Sequence, residues 1–142
     1  MNRHKKLTTD YDTWQVIAVD DKTENLKLVK IVLESKGAVI EIFENYKDFS
    51  ANVDRIRPNL ILLDIAMPDV SGVELAKELR KDSQYDDVPI IAVTALAVLG
   101  EQAQEKMNLF DGYITKPFKV EQLMSKLDKA IKDFIEKRVG VN

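Results

Sequence analysis

Short, unbroken apolar runs alternate along this chain with longer stretches in which apolar residues recur every three or four positions. The short runs read as strands and the periodic stretches as amphipathic helices. The sharpest run is Leu60-Ile-Leu-Leu63, which leads straight into Asp64. Pro58 and Pro68 bracket it. Proline cannot donate to a strand ladder, so the two mark the limits of this strand. With no polar residue in the run, both of its faces must be covered.

The other elements follow the same logic. Residues 1–13 are polar and aperiodic and read as a flexible N-terminal tail. Gln15-Val-Ile-Ala-Val19 is a first strand ending in Asp20-Asp21. After Lys22, the residues Leu26, Val29 and Leu33 share a helical face, with Leu28 and Val32 beside it, and Gly37 closes the helix as a left-handed cap. Ala38 to Phe43 is a second strand, and Glu41 within it suits an edge position. Asn45 caps a helix carrying Tyr46, Phe49, Val53 and Ile56. Ser71 and Glu74 match a capping box before a helix that buries Leu75, Ala76 and Leu79.

Residues 81–88 are a polar loop, and Pro89-Ile-Ile-Ala-Val93 is a fourth strand ending at Thr94. A poorer amphipathic pattern from Leu99 to Leu109 predicts a fourth helix, with Asn108 as its terminator. Gly112-Tyr-Ile-Thr115 is a short fifth strand ending at Lys116-Pro117. The last helix runs from Lys119 to Arg138, with Val120, Leu123, Met124, Leu127, Ile131 and Phe134 on one face. Five strands alternating with five helices predict an α/β fold, a doubly wound five-stranded parallel sheet with right-handed crossovers. Of the two common doubly wound orders, five strands fit the flavodoxin-like 2-1-3-4-5, a (βα)5 unit. One domain over 14–142 accounts for all of it.

Composition narrows the functional classes. A chain of 142 residues, 45% hydrophobic and 32% charged, fits a single globular core. A net charge of −3 gives no reason to expect nucleic-acid binding. There is no cysteine, so disulfides and thiolate-ligated metals are excluded. No apolar run reaches membrane-spanning length, and the charged start Met1-Asn-Arg-His-Lys-Lys lacks the apolar stretch of a signal peptide, so the expected location is cytoplasmic.

Ligands in open α/β sheets bind beyond the carboxyl ends of the strands. In the order 2-1-3-4-5, strands one and three are neighbours, so Asp20, Asp21 and Asp64 should meet there, flanked by Thr94 and Lys116. Taken singly, each has a plainer reading. An Asp-Asp pair after a strand is often a turn or a helix cap, and Asp64 could be a nucleophile, a metal ligand or a cap. A lone Thr94 is an ordinary strand end, and Lys116-Pro117 an ordinary loop. Together they are harder to obtain by accident. Crowded carboxylates repel one another unless a cation neutralises them. Oxygen-only ligands favour a hard ion, Mg2+ or Mn2+, and no EF-hand loop supports a dedicated calcium site. A metal, an ammonium and a hydroxyl around a carboxylate suit a phosphoryl group, with Asp64 as candidate nucleophile.

Asp20-Asp21, Asp64-Ile-Ala-Met-Pro-Asp-Val-Ser-Gly72, Val93-Thr94-Ala95 and Tyr113-Ile-Thr-Lys116-Pro117-Phe118 resemble the receiver domain of two-component response regulators, of the stand-alone, CheY-like type. The resemblance covers residues 14–138 in order. It implies that Asp64 is the phosphoacceptor, that Asp21, Asp64 and the backbone carbonyl of Ala66 ligate Mg2+, and that Asp20 acts through water. It implies that Lys116 contacts the phosphoryl oxygens, that Thr94 is the switch hydroxyl, and that Tyr113 is an aromatic that turns inward behind it. A cis bond before Pro117 is the family's habit. The implied partners are a histidine kinase or histidine phosphotransfer protein and a downstream protein target. The implied readout surface is the fourth helix, fifth strand and fifth helix, with the apolar Leu96-Ala-Val-Leu99 beside it. The protein is then not an enzyme but a phosphoacceptor that assists its own phosphorylation and dephosphorylation. Ala66 and Leu96 occupy positions that govern phosphoryl lifetime in this family. Neither side chain can orient water, so slow self-hydrolysis is expected. The chain departs from the family pattern at Leu109-Phe110, where receivers commonly carry a small residue.

Other readings compete. A receiver fold acting as a scaffold without phosphorylation would be expected to have lost a site residue, and none is lost. An intermediate or sink in a phosphorelay uses the same residues. A haloacid-dehalogenase-like phosphatase would want an aspartate two positions after Asp64, where Ala66 stands. Neither a dinucleotide-binding Gly-x-Gly-x-x-Gly nor a P-loop is present. His4, the single histidine, lies in the expected tail and is most simply solvated, so the phosphoryl donor must come from outside the chain.

Overall fold

The computed structural model describes residues 10–65, 72–95 and 108–138. Five strands, β1 (Gln15–Val19), β2 (Val39–Phe43), β3 (Leu60–Leu63), β4 (Ile90–Thr94) and β5 (Gly112–Thr115), form one sheet in the order β2-β1-β3-β4-β5. Every neighbouring pair is parallel. The described residues contain four α-helices: α1 (Thr23–Glu34), α2 (Tyr46–Ile56), α3 (Gly72–Arg80) and a C-terminal helix (Val120–Arg138). A 3-10 turn, Ser83–Tyr85, lies in the polar loop before β4. The helix expected over Leu99–Leu109 falls outside the described residues except for Asn108 and Leu109, which lie in a turn. Ser71 and the Leu96–Leu99 segment also lie outside them.

The unbroken apolar run of β3 does what its composition requires. Leu60 and Leu62 face one core with α1 and the C-terminal helix, while Ile61 and Leu63 face a second with α2 and α3. β1 and β4 divide their side chains in the same way, Val16 with Ile91 and Ile17 with Ala92. Phe110, the departure noted before β5, is buried in the second core. Among the described residues β2 pairs only with β1, and Glu41 on it forms an exposed ion pair with Arg55 of α2 at 3.1 Å, as suits an edge strand.

The local punctuation follows residue chemistry. Gly37 adopts φ +89°, and Ala38 N–H to Leu33 O (3.1 Å) with Gly37 N–H to Glu34 O (3.0 Å) closes α1 in a Schellman pattern. The Asn45 side chain accepts from Asp48 N–H at 2.8 Å and caps α2. No helix among the described residues is long and apolar enough to cross a membrane.

Two expectations need correction. The tail expected through residue 13 is packed from Tyr11 onward. Tyr11 is buried, donates from its hydroxyl to Asp128 Oδ1 at 2.7 Å, and meets Trp14 edge-to-face at 4.9 Å. Thr13 N–H also donates to Gly37 O at 2.9 Å, fastening the arm to the turn after α1. On the C-terminal helix, Val120 does not share the buried face of Leu123, Leu127 and Ile131. It opens the first turn and remains 45% exposed, whereas Leu123, one turn on, is buried.

Candidate functional site

Register brings the acidic residues together. Val19 and Leu63 are paired positions on neighbouring strands, so Asp20 and Asp64, each one residue beyond, leave the sheet side by side. The ladder reaches past the strand ends: Asp64 N–H donates to Val19 O at 2.9 Å, and Lys116 N–H to Thr94 O at 3.0 Å. Asp20, Asp64, Thr94 and Lys116 therefore hang from one sheet edge on backbone that is itself hydrogen-bonded. The Lys116–Pro117 bond is cis, as the resemblance led us to expect.

Asp20 and Asp64 are buried, at 5% and 3% exposure, while Asp21 is exposed. One oxygen from each of the three lies within 4.8 Å of the others. The Lys116 ammonium reaches Asp20 Oδ2 at 2.8 Å and Asp64 Oδ2 at 3.3 Å. Burial works to lower the pKa of Lys116, but its hydrogen bond and charge contact with Asp20, and then Asp64, outweigh that and leave it raised. Three carboxylates against one ammonium keep the cluster negative. Hard oxygen donors with excess negative charge fit a hard divalent cation such as Mg2+.

Asp20 is engaged at both carboxylate oxygens. Its Oδ1 accepts from Lys22 N–H at 2.8 Å, and its Oδ2 accepts from Asn25 Nδ2 at 3.2 Å as well as from Lys116. Asn25 was not singled out from the sequence. The signal available was an amide one turn into the helix that follows the acid pair, where it can reach back to the strand tip. Asp64 is held from behind, since the buried Tyr46 hydroxyl on α2 donates to its backbone carbonyl.

Thr94 is 1% exposed, and its Oγ1 has no hydrogen-bond partner among the described residues. A buried hydroxyl left unpaired is costly and points to a group that could occupy the space beside it. Tyr113 on β5 is 50% exposed and faces outward. An open cleft of about 460 Å3 adjoins the cluster, with Lys22, Asn25, Lys116 and Phe118 among its walls. Ala66, whose carbonyl was expected to complete the metal site, lies outside the described residues.

Comparison with known proteins extends this picture. The sequence matches the response regulator receiver domain over residues 16–128. It is 32% identical over 118 residues to the polar-differentiation response regulator DivK of Brucella anthropi, covering 83% of this chain and 96% of DivK. The fold superposes on the chemotaxis response regulator CheY4 of Vibrio cholerae with a TM-score of 0.76 and 29% identity, over 83% of this chain and 98% of CheY4. It also superposes on the response regulator TrrA of Thermotoga maritima, solved in complex with Mg(2+)-BeF, with a TM-score of 0.71 and 30% identity over 83% and 99% of the two chains. A match that spans most of the chain in both sequence and fold makes this protein a member of the response regulator receiver domain family, of the CheY-like kind.

Proposed function

We propose that the chain is a phosphorylatable switch in a two-component pathway, which accepts a phosphoryl group on Asp64 and converts it into a change in protein contacts. The observation that carries this reading is the buried Asp64 carboxylate at the tip of a central strand, clustered with Asp20 and Asp21 and hydrogen-bonded to Lys116. Asp21 and Asp64, with the carbonyl of Ala66, would ligate Mg2+ directly and Asp20 would hold it through water, with Mn2+ as the alternative. The Mg(2+)-BeF complex of TrrA supports that assignment. The cation, when bound, supplies neutralisation of the phosphoryl oxygens.

An Asp64 carboxylate oxygen attacks the donor's phosphorus. The new P–O bond forms as the donor's bond to phosphorus breaks, and the leaving group departs with the electron pair, giving an aspartyl phosphate. Lys116 neutralises the phosphoryl oxygens, and Thr94 donates its unpaired hydroxyl to one of them. Tyr113 then turns inward behind Thr94, and the face formed by the expected helix over 99–109, β5 and the C-terminal helix changes its affinity for a target protein. The donor is a histidine kinase or histidine phosphotransfer protein, and the protein acts in the cytoplasm. In this reading the receiver domain spans 14–142, and the packed arm from Tyr11 to Thr13 fastens to it. The protein is not a turnover enzyme, though it assists its own phosphorylation and dephosphorylation.

Borohydride trapping tests the assignment. After incubation with acetyl phosphate and Mg2+, reduction should convert the acyl phosphate to homoserine at position 64 alone, read by peptide mass. Trapping at another carboxylate would overturn the assignment, and no trapping at all would favour a scaffold that acts without phosphorylation.

A further inference from the structure

The Asp20 carboxylate is held at both of its oxygens by the N-terminal end of α1 and the residue that caps it. Lys22 N–H, at the start of the helix, donates to Oδ1 at 2.8 Å, and Asn25 Nδ2, one turn further on, donates to Oδ2 at 3.2 Å. A carboxylate's terminal torsion is otherwise broad and roughly two-fold. Two donors at one helix end, one on each oxygen, fix the plane of the group before any ligand arrives. The third donor, Lys116, also contacts Oδ2, but it carries a positive charge. An ammonium there repels the divalent cation that the cluster is suited to hold, whereas a neutral amide orients the carboxylate without that repulsion. Asn25 also lines the open cleft beside Lys116, so it stands at the mouth of the site rather than in the core.

We infer that Asn25 is a positioning residue for the divalent-cation site, aligning the Asp20 carboxylate through its side-chain amide. This inference rests on the phosphoacceptor reading and its cation. Groups that orient the carboxylates of a metal site, those acting through water included, contribute about 10-fold or more to affinity. The bond at 3.2 Å is a long one, so the low end applies.

The test is Mn2+ binding to the full chain without a phosphodonor, read from the loss of the aqueous Mn2+ paramagnetic resonance signal. Asn25→Leu should weaken binding about tenfold while the melting temperature in EDTA stays at the wild-type value. In a Lys116→Met background the same substitution should weaken binding by a larger factor, because Asn25 is then the remaining side-chain donor to Asp20 among the described residues. Asn25→Ala, smaller and a better helix former, serves as the second variant should the leucine fail to fold. Wild-type affinity in these variants would overturn the inference and leave the phosphoacceptor reading standing. Loss of binding in step with a lowered metal-free melting temperature would also overturn it, by showing a general structural role. If the wild-type chain itself binds no Mn2+, it is the cation assignment beneath the inference that fails.

Discussion

Thr94 ends β4 with its hydroxyl buried and, among the described residues, unpaired, an arrangement that costs stability. Thr94→Val keeps the shape and removes the hydroxyl. The resting protein should then be as stable as wild type or more stable by up to about 1 kcal/mol, measured by urea unfolding. The same variant should still accept phosphate on Asp64 but lose the coupled movement of Tyr113, read by its change in exposure. Tyr11 presents the opposite case, a buried hydroxyl with a partner. Burial first, then the hydrogen bond and charge of Asp128, raise its pKa well above the ordinary 10.0. The protonated phenol is the form the fold favours, so this contribution is complete below pH 10.0 and is lost as pH rises from there through the folded-state pKa. Tyr11→Phe should cost about 1 kcal/mol at neutral pH and flatten the alkaline edge of the stability profile. This contact was not legible in the sequence. A tyrosine in a polar, aperiodic stretch carries no periodic signal, and its partner lies 117 residues away. The Asn25–Asp20 bond was hidden for a related reason, since an amide in a first helical turn also reads as an ordinary helix start.

Elements were more legible than single contacts, because their signals sum over several residues. The run Leu60–Leu63 needs cover on both faces wherever it sits in the sheet, and the two cores confirm that it has it. Gly37 and Asn45 announced their caps by residue type alone, and both caps are present. Val120 misled because helical spacing identifies a stripe without showing where along the helix burial begins. The Arg80–Asp111 ion pair was equally unreadable, although Asp111 also accepts from Ile90 N–H at 2.8 Å and so ties the end of α3 to the starts of β4 and β5. Gly72, at the start of α3, shows how tightly an element can seat beside the site. A Cβ there would lie 2.5 Å from Ile65 Cα and 2.9 Å from the Tyr46 hydroxyl oxygen. Ile65 directly follows Asp64, so the displaced atom is backbone next to that carboxylate. Gly72→Ala should cost about 2 kcal/mol in urea unfolding, despite alanine's better helix propensity. Wild-type stability would show that α3 can retreat without strain.

At the scale of the whole molecule, the strand order β2-β1-β3-β4-β5 converts residues far apart in sequence into one edge. Asp20, Asp64, Thr94 and Lys116 each follow or end a different strand, and parallel pairing in register aligns those ends. Alternation of strands and helices made the order and the edge readable from sequence. What could not be read was the state of the site: Lys116 engaged with Asp20 and Asp64, Thr94 unpaired, and Tyr113 outward. In that arrangement the Lys116 ammonium bridges the Asp20 and Asp64 carboxylates. The central claim, that Asp64 takes the phosphoryl group with the help of a divalent cation, is tested most directly by intact mass after incubation with acetyl phosphate and Mg2+. The account predicts a single phosphate adduct that disappears with EDTA and in Asp64→Asn. An adduct that survives in Asp64→Asn, or none in a folded wild-type chain, would contradict it.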